Sequence, residues 1–503
     1  VGASGGGCGA MADAFGRLIW PDSGRITIDG TDILELPESI TGRRIAYAAS
    51  DAYFFHGTLR DNLLYGLKHA PLTKVEYDGT KAAKYKWNIN EARLAGNPDL
   101  DLNSDWVDYQ SAGVTGPQDL FRVVRPVLEA VMISQDIVDL ALRSQVDTAT
   151  HSDLTSRIVE LRQALRKTLQ DENLDGLVVP FEPKVYNPQA TIGENLLFGT
   201  VKRPMMTNLR LAAHPYFRAI LRESGLNVDL YKMGLEIAAN AIELFEDLPP
   251  DHPFFQQLTF MTADDIPAYQ LLLQKLQGRD FDAASPDERS NIIRLSFAYI
   301  EPRHRFGLLT DELMAKIVEA RLRFHKNLPD DLKAVIERYD PKKFITSANL
   351  MDNVLFGRIG YAQADGPDRI RVILRNLFDE LGLYDSVLSI GLDFDVGSGG
   401  KRITNVQRQK LNVARALLKR SDYVIFNRPL PALDQRVQDQ ITRNIMQDLH
   451  EEGHAPAIIW VLANSSLANL FDRVLVFDRG ALVEDGTHAT LLEKNGIFKE
   501  LVS

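Results

Sequence analysis

A nine-residue pattern occurs three times in this chain, and it limits the possible folds more than any other feature. It reads Thr58-Leu-Arg-Asp-Asn-Leu-Leu-Tyr-Gly66, then Thr191-Ile-Gly-Glu-Asn-Leu-Leu-Phe-Gly199, then Asn349-Leu-Met-Asp-Asn-Val-Leu-Phe-Gly357. An aromatic residue stands five positions ahead of each copy, at Tyr53, Tyr186 and Phe344. The last two copies also share Phe181-Glu-Pro-Lys184 and Tyr339-Asp-Pro-Lys342. Each copy reads as a helix start. Thr or Asn caps the first free N–H groups, and the acid three residues on reaches back. The apolar pair buries and Gly ends the turn. Three unrelated capped helices is the plain alternative. Agreement at Asn, Leu, the aromatic and Gly favours internal duplication of one supersecondary unit, with repeat units near 181–199 and 339–357.

The texture around the copies differs along the chain. Met11 to Ile19 has helical spacing, Pro21 to Gly24 is a turn, and Arg25 to Ile28 is a strand ending at Asp29-Gly30. Ile45 to Ala49 is a short apolar strand. From about 390 onward helix and strand alternate. Gln407 to Leu418 and Gln435 to His450 are helical; Tyr423 to Phe426, Ile458 to Leu462 and Val474 to Phe477 are strands. That alternation predicts a largely parallel sheet covered by helices. Between about 67 and 345 amphipathic helices dominate, at Phe121 to Val146, Leu154 to Glu172, Ala212 to Glu223 and Ile292 to Ile300. The acidic stretch Asn97 to Asp108 is a loop. The 503 residues, 45% hydrophobic and 25% charged, suffice for about three globular units. A net charge of −11 argues against a nucleic-acid partner. The lone Cys8 cannot form an internal disulfide and suits a reducing compartment. No apolar run is long enough to span a membrane, and no signal peptide is visible. The chain opens at Val1, directly on a glycine-rich loop, which reads as a piece of something longer.

That loop, Gly2-Ala-Ser-Gly-Gly-Gly-Cys-Gly9, has the glycine spacing of a phosphate-binding loop, G-x-x-x-x-G-K-[ST]. Glycines let backbone N–H groups face phosphate oxygens. Cys8 stands in place of the lysine that neutralises phosphate charge, and Gly9 in place of the Ser/Thr that holds Mg²⁺. The anion nest can survive these changes; the cation and the metal ligand cannot.

The order of this loop, Ser23 to Gly30 and Phe55 to Asn62 resembles the nucleotide-binding domain of ATP-binding cassette (ABC) transporters of exporter type. Val396 to Leu418 resembles the region of that family's signature. Tyr423 to Asp434 resembles its Walker B strand and D-loop, and Val474 to Gly480 with Val483 to His488 its closing strand pair. The resemblance covers about 1–66 and 345–503. It implies an α/β P-loop NTPase-like cassette core, divided as 1–66 and 345–503, with a large, mostly helical insertion at 67–344. It also implies ATP and Mg²⁺ as cofactors, a transmembrane domain and a second cassette as partners, and a place at the cytoplasmic face of a membrane.

Departures from the family pattern fall on its working residues. The signature reads Ile403-Thr404-Asn405-Val406-Gln407, so side chains replace two glycines while Thr404 keeps a hydroxyl. By the resemblance, the Walker B aspartate position is Asn427, the catalytic glutamate position Arg428, the Q-loop glutamine position Ser50 and the switch histidine position Ala463. Asp434 of the D-loop keeps its type. Nucleotide contact is left to Ser4, Gly5, Gly6, Gly7, Cys8, Gly9 and Ala10. Charge neutralisation, metal holding and water positioning are all affected. The expectation is weak ATP binding, doubtful Mg²⁺ binding and impaired or lost hydrolysis. A pseudo-ATPase scaffold is the alternative, and an ATPase using replacement residues a third reading. Other reactive residues have plain structural readings. Cys8 reads as an inert thiol, Arg428 as an ion-pair former, His454 and His488 as surface residues, and His304, between Arg303 and Arg305, as a solvated basic spot. No Cys/His set has zinc spacing.

Overall fold

In a computed structural model of the chain, the described residues are 1–503 apart from 3–4, 73, 203–213, 246–261, 362–364, 452–454 and 503. They form two compact units, one of residues 1–141 with 388–503 and the other of 142–387. These limits fall at other places than 66/67 and 344/345, the boundaries expected from the motifs.

The first unit is built on a three-stranded parallel sheet, in the order Ile45–Ala49, Tyr423–Asn427, Ala457–Val461. Val424, Ile425 and Phe426 in the middle strand are all buried, as a strand covered on both faces requires. The helix Cys8–Phe15 lies on this sheet, with Cys8 and Ala12 packed against Ile425, Val461 and Phe477. The helix Asn405–Leu418 also packs on it, and its Asn412 donates to Ala49 O at 3.0 Å. The sheet is less extensive than expected. The other strands of this unit form antiparallel pairs, Thr27–Ile28 with Thr31–Asp32 and Val474–Asp478 with Ala481–Gly486. Phe121 to Val146 is two helices, Phe121–Ala130 and Ser134–Arg143, because Met132 turns left-handed at φ 55° between them.

The second unit is helical except for two short antiparallel ladders. Val178–Pro180 pairs with Gly357–Ile359, and Gly199–Val201 with Ile336–Arg338. The pairing brings together an aromatic core of Phe181, Phe198, Tyr339 and Phe356, in which Phe181 and Tyr339 stack at 4.6 Å.

All three copies of the nine-residue pattern start helices, Leu59–Leu63, Ile192–Leu197 and Leu350–Leu355. Thr58 and Thr191 make reciprocal boxes with Asp61 and Glu194, whereas Asn349 accepts from Asp352 N without a return bond. The glycines do not end the helices as expected. Phe198 (φ 42°) and Phe356 (φ 41°) take the left-handed position instead. Gly199 and Gly357 are needed for close approach: a Cβ there would lie 2.5 Å from Glu337 O and 2.4 Å from Val179 O, across the ladders.

The shared asparagines, Asn62, Asn195 and Asn353, are buried hubs. Their Oδ1 atoms accept from Phe55 N, Asn187 N and Ile345 N at 2.8, 2.9 and 2.7 Å. In the second unit a buried arginine completes each hub. Arg321 donates to Asn195 O and Oδ1 and to the carbonyls of Glu182, Pro183 and Val185. Arg162 does the same with Asn353 O and Oδ1 and the carbonyls of Asp340, Pro341 and Lys343. The exchange is reciprocal: the helix Ile158–Asp171 closes the later segment and the helix Asp311–Lys326 the earlier one. A buried guanidinium without a carboxylate is costly, and burial lowers the pKa of both arginines to about 10. Five carbonyl acceptors and one aromatic face each, Phe198 or Phe356, offset that cost.

Candidate functional site

The carboxyl ends of parallel strands are where open α/β sheets place ligands. Here the register sets Ala49, Asn427 and Val461 side by side, with Ser50 and Arg428 next in the chain. The glycine loop and the first turn of Cys8–Phe15 face this edge through Gly9, whose carbonyl accepts from Asn427 Nδ2 at 3.2 Å.

Asn427 is the centre of the site. Its Nδ2 also donates to Asp13 Oδ1 at 2.8 Å and to Tyr47 Oη at 3.0 Å, and Tyr47 Oη donates in turn to Asp13. Gly9 O and the Asp13 carboxylate can only accept, so the amide must present its N–H side to them. Burial, helped by the bond to Asp13, pushes the Tyr47 hydroxyl up to about 12, so it stays protonated. Asp13 and Tyr47 carried no motif and were missed by the sequence reading. The charged ligand that Mg²⁺ takes from a protein is a carboxylate oxygen; the group at position 427 is a neutral amide whose donor side is used inside the protein. Arg428, exposed beside it, adds positive charge. A neutral amide followed by a guanidinium is a poor fit to a magnesium ion.

The phosphate loop keeps part of its form. Gly5 and Gly7 have φ of 80° and 99°, and Gly7 is the N-cap residue of the helix. Gly6 is buried and its carbonyl accepts from Gly480 N at 3.0 Å; a Cβ on Gly7 would lie 3.1 Å from Gly480 Cα. The loop is therefore held against the turn after Val474–Asp478. The first turn of an α-helix leaves N–H groups without helical acceptors, here those from Cys8 to Ala10, which suit an anion. Cys8 is buried, with Sγ 3.2 Å from Val1 O, and agrees with an inert thiol. Gly9 is half-buried and Ala10 exposed. Ser4 lies outside the described residues.

The remaining positions differ in their surroundings. Arg428 takes a left-handed turn (φ 45°) and makes no hydrogen bond or ion pair among the described residues, contrary to the ion-pair role expected for it. The crevice it shares with Gln438, Asp439, Ala463 and Asn464 has a volume of about 20 Å³, room for about one water. Ala463 is exposed, and the following Asn464 donates to Asp439 at 2.9 Å. Thr404 caps the helix Asn405–Leu418 and forms a reciprocal box with Gln407, whose Nε2 also donates to Asp136 at 2.9 Å. Ile403 is buried, Asn405 exposed and Val406 half-buried. Asp434 caps the helix Gln435–Glu451 by accepting from Val437 N at 3.0 Å. Gln409, unmarked by any motif, joins these parts. Its Oε1 accepts from Ala432 N at 2.9 Å and its Nε2 lies 3.5 Å from Ser50 O.

His304 is not a solvated basic spot. It is 6% exposed, its Nδ1 accepts from Ile300 N at 2.9 Å, and burial lowers its pKa to about 4. His488 begins the helix His488–Glu493 and packs edge-on against Phe498; His454 lies outside the described residues. Among the described residues no helix is long and apolar enough to cross a membrane, and no cluster of His, Cys, Asp or Glu could hold a metal ion.

No family model matches the chain. Curated relatives do. An "ATP-dependent lipid A-core flippase" of Xylella fastidiosa is 30% identical over 173 residues, which is 34% of this chain and 28% of the relative. The Escherichia coli "glutathione/L-cysteine transport system ATP-binding/permease protein CydC" is 28% identical over 198 residues, 39% of this chain and 31% of the relative. A solved structure of a bacterial Atm1-family ABC exporter with ATP bound is 28% identical over 25% of this chain and 21% of its own length, with a TM-score of 0.20. Part of this chain is thus similar to ABC exporters, which supports an ABC-type transporter domain. The chain spans about a third of the length of these relatives.

Proposed function

We propose that this chain is the nucleotide-binding part of an ABC-type membrane transporter whose capacity for ATP hydrolysis is impaired or lost. One observation carries the reading: the amide of Asn427 is turned inward to Gly9, Asp13 and Tyr47 at the position where the resemblance asks for a metal-holding carboxylate. Arg428 reverses the charge at the adjoining position of the catalytic glutamate. Loss of a general base alone costs about 10²–10⁴ in rate. Nucleotide binding is weak and rests on the N–H groups at the start of Cys8–Phe15. The partners are a transmembrane domain, in this chain or another, and a second cassette; the place of action is the cytoplasmic face of a membrane. The tandem similarity of 58–66, 191–199 and 349–357 reflects duplication of one supersecondary unit, from which the insertion grew.

A second reading, a cassette kept as a scaffold without a nucleotide cycle, draws on the signature-like segment. Thr404 and Gln407 are occupied with each other and with Asp136. Labelled ATP titrated onto the chain and onto the combined variant Cys8→Lys, Gly9→Ser, Asn427→Asp separates the two. A Cβ at Gly9 meets its nearest atom, Asn427 Oδ1, at 3.4 Å, so the serine fits. A rise in Mg-ATP affinity supports a phosphate cradle with missing charges. Unchanged affinity contradicts the cradle, and ordinary turnover by the unaltered chain contradicts impaired hydrolysis.

A further inference from the structure

The second unit contains a pocket that no part of the cassette reading uses. It has a volume of about 230 Å³ and is lined by Arg218, Arg222 and Asn227, and by Phe281, Arg289 and Ser290, with no carboxylate in its wall. Three arginines line it in a chain of net charge −11. Two are positioned by the protein. Arg218 donates to Ser290 Oγ at 3.0 Å; Arg289 donates to Ala284 O at 2.8 Å and lies over the Phe281 ring at 4.6 Å. The Arg222 side chain is exposed and makes no hydrogen bond or ion pair among the described residues. Glu288, beside Arg289 in the chain, is taken by Lys275 at 2.5 Å.

A comparison within the molecule singles out Arg222. The helix Pro215–Glu223 has counterparts in Phe121–Ala130 and Gly366–Glu380. Each is followed by a left-handed residue, Gly225, Met132 or Gly382. The N–H of that residue donates to the carbonyl of Arg222, Glu129 or Asp379 at 3.1, 2.9 or 3.0 Å. In these three helices the residue bonded this way stands four positions after an arginine, Arg218, Arg125 or Arg375. In the other helices the later residue is acidic, and Arg125 pairs with Glu129 at 3.0 Å. Only beside the pocket is it a second arginine. Like charges at this spacing destabilise a helix by a few tenths of a kcal/mol. A local rule broken without a partner in the fold marks a position kept for something else.

We propose that this pocket binds a small phosphomonoester carried on an apolar body. Guanidinium forks match phosphate oxygens two at a time. A carboxylate offers one charge and two oxygens and would leave part of this set unserved. Phe281, with Leu221 and Ile293, supplies the apolar wall. The inference is independent of the state of the nucleotide site.

The test titrates α-naphthyl phosphate onto the whole chain and onto Arg222→Glu, which restores the acid found in the two counterpart helices. Saturable binding weakened about tenfold or more by the substitution is expected, with Arg222→Ala intermediate and α-naphthol showing no saturation. The thermal midpoint of Arg222→Glu should equal or exceed that of the parent, since a like-charge pair is removed, so lost binding is separable from unfolding. Absence of saturation up to ~10 mM, equal binding by Arg222→Glu, or equal binding of α-naphthoate would overturn the proposal.

Discussion

The Asn62 segment of the first unit and the Asn195 and Asn353 segments of the second begin from one sequence pattern and end in different surroundings. In the second unit a buried arginine draws each hub and the carbonyls before it into one network. In the first unit the corresponding helix, Asn405–Leu418, offers Arg415. It reaches Tyr53 O at 3.3 Å and Asn412 Oδ1 at 2.7 Å, with no bond to Asn62. The pattern is thus a structural joint, and its strength depends on what closes it. It is closed most completely in the unit that lacks the glycine loop, the signature-like segment and the Walker B-like strand. In the first unit the joint is looser, and polarity is concentrated instead on Asn427.

Arg321→Ala should give the largest effect. It leaves five acceptor atoms in the interior without their donor, at a cost of about 4 kcal/mol in urea unfolding. Arg321→Lys should not restore this, since an ammonium cannot span the same acceptors. Arg415→Ala should cost clearly less; equal losses would remove the contrast between the units.

Acid should separate the units further. His304 and His325, both in the second unit, are lowered by burial from 6.5 to about 4. Their folded forms bind fewer protons than the unfolded chain in this interval. Stability is therefore complete above about pH 6.5 and is lost as pH falls toward 4, by about 2 kcal/mol each after partial solvent screening. Hydrogen exchange at pH 5 and pH 7 should show the 142–387 unit opening first; uniform loss of protection would contradict this.

The hubs come next. Asn62→Ala should cost about 2 kcal/mol, and Asn195→Ala more, because Arg321 then loses a partner as well. Asn427→Asp alone is the mildest change, about 1 kcal/mol at neutral pH. It sets a second carboxylate 2.8 Å from Asp13, in place of the amide. The loss should shrink at low pH as one of the pair takes a proton. A stabilised Asn427→Asp protein would mean that the amide is not held as described.

Much of the first unit was legible in the sequence. Continuous apolar runs gave the strand Ile45–Ala49 and, one residue short, the strand at Tyr423 to Phe426, and Thr58 with Asp61 gave a helix start. Motif order drew attention to Gly9 and Asn427, which the structure joins by a hydrogen bond, and to Asp434, which caps a helix. What could not be read was who meets whom. An arginine on an amphipathic helix reads as solvent-facing, so Arg162 and Arg321 passed unnoticed. The shared Ile158-Val-Glu-Leu-Arg162 and Ile317-Val-Glu-Ala-Arg321 could have flagged them. Gly199 and Gly357 read as helix stops because the ladders that require them join residues far apart in the chain. His304 was misjudged from its basic neighbours, since burial is a tertiary property. Asp13 and Tyr47 match no motif; they matter only once Asn427 lies between them.

The central proposal is that the site at Asn427, with its amide turned inward, does not hold a metal. It is tested most directly by titrating labelled ATP onto the purified chain with and without Mg²⁺. Weak binding that is indifferent to Mg²⁺ is the expected result. Tight binding that requires Mg²⁺ would contradict the account.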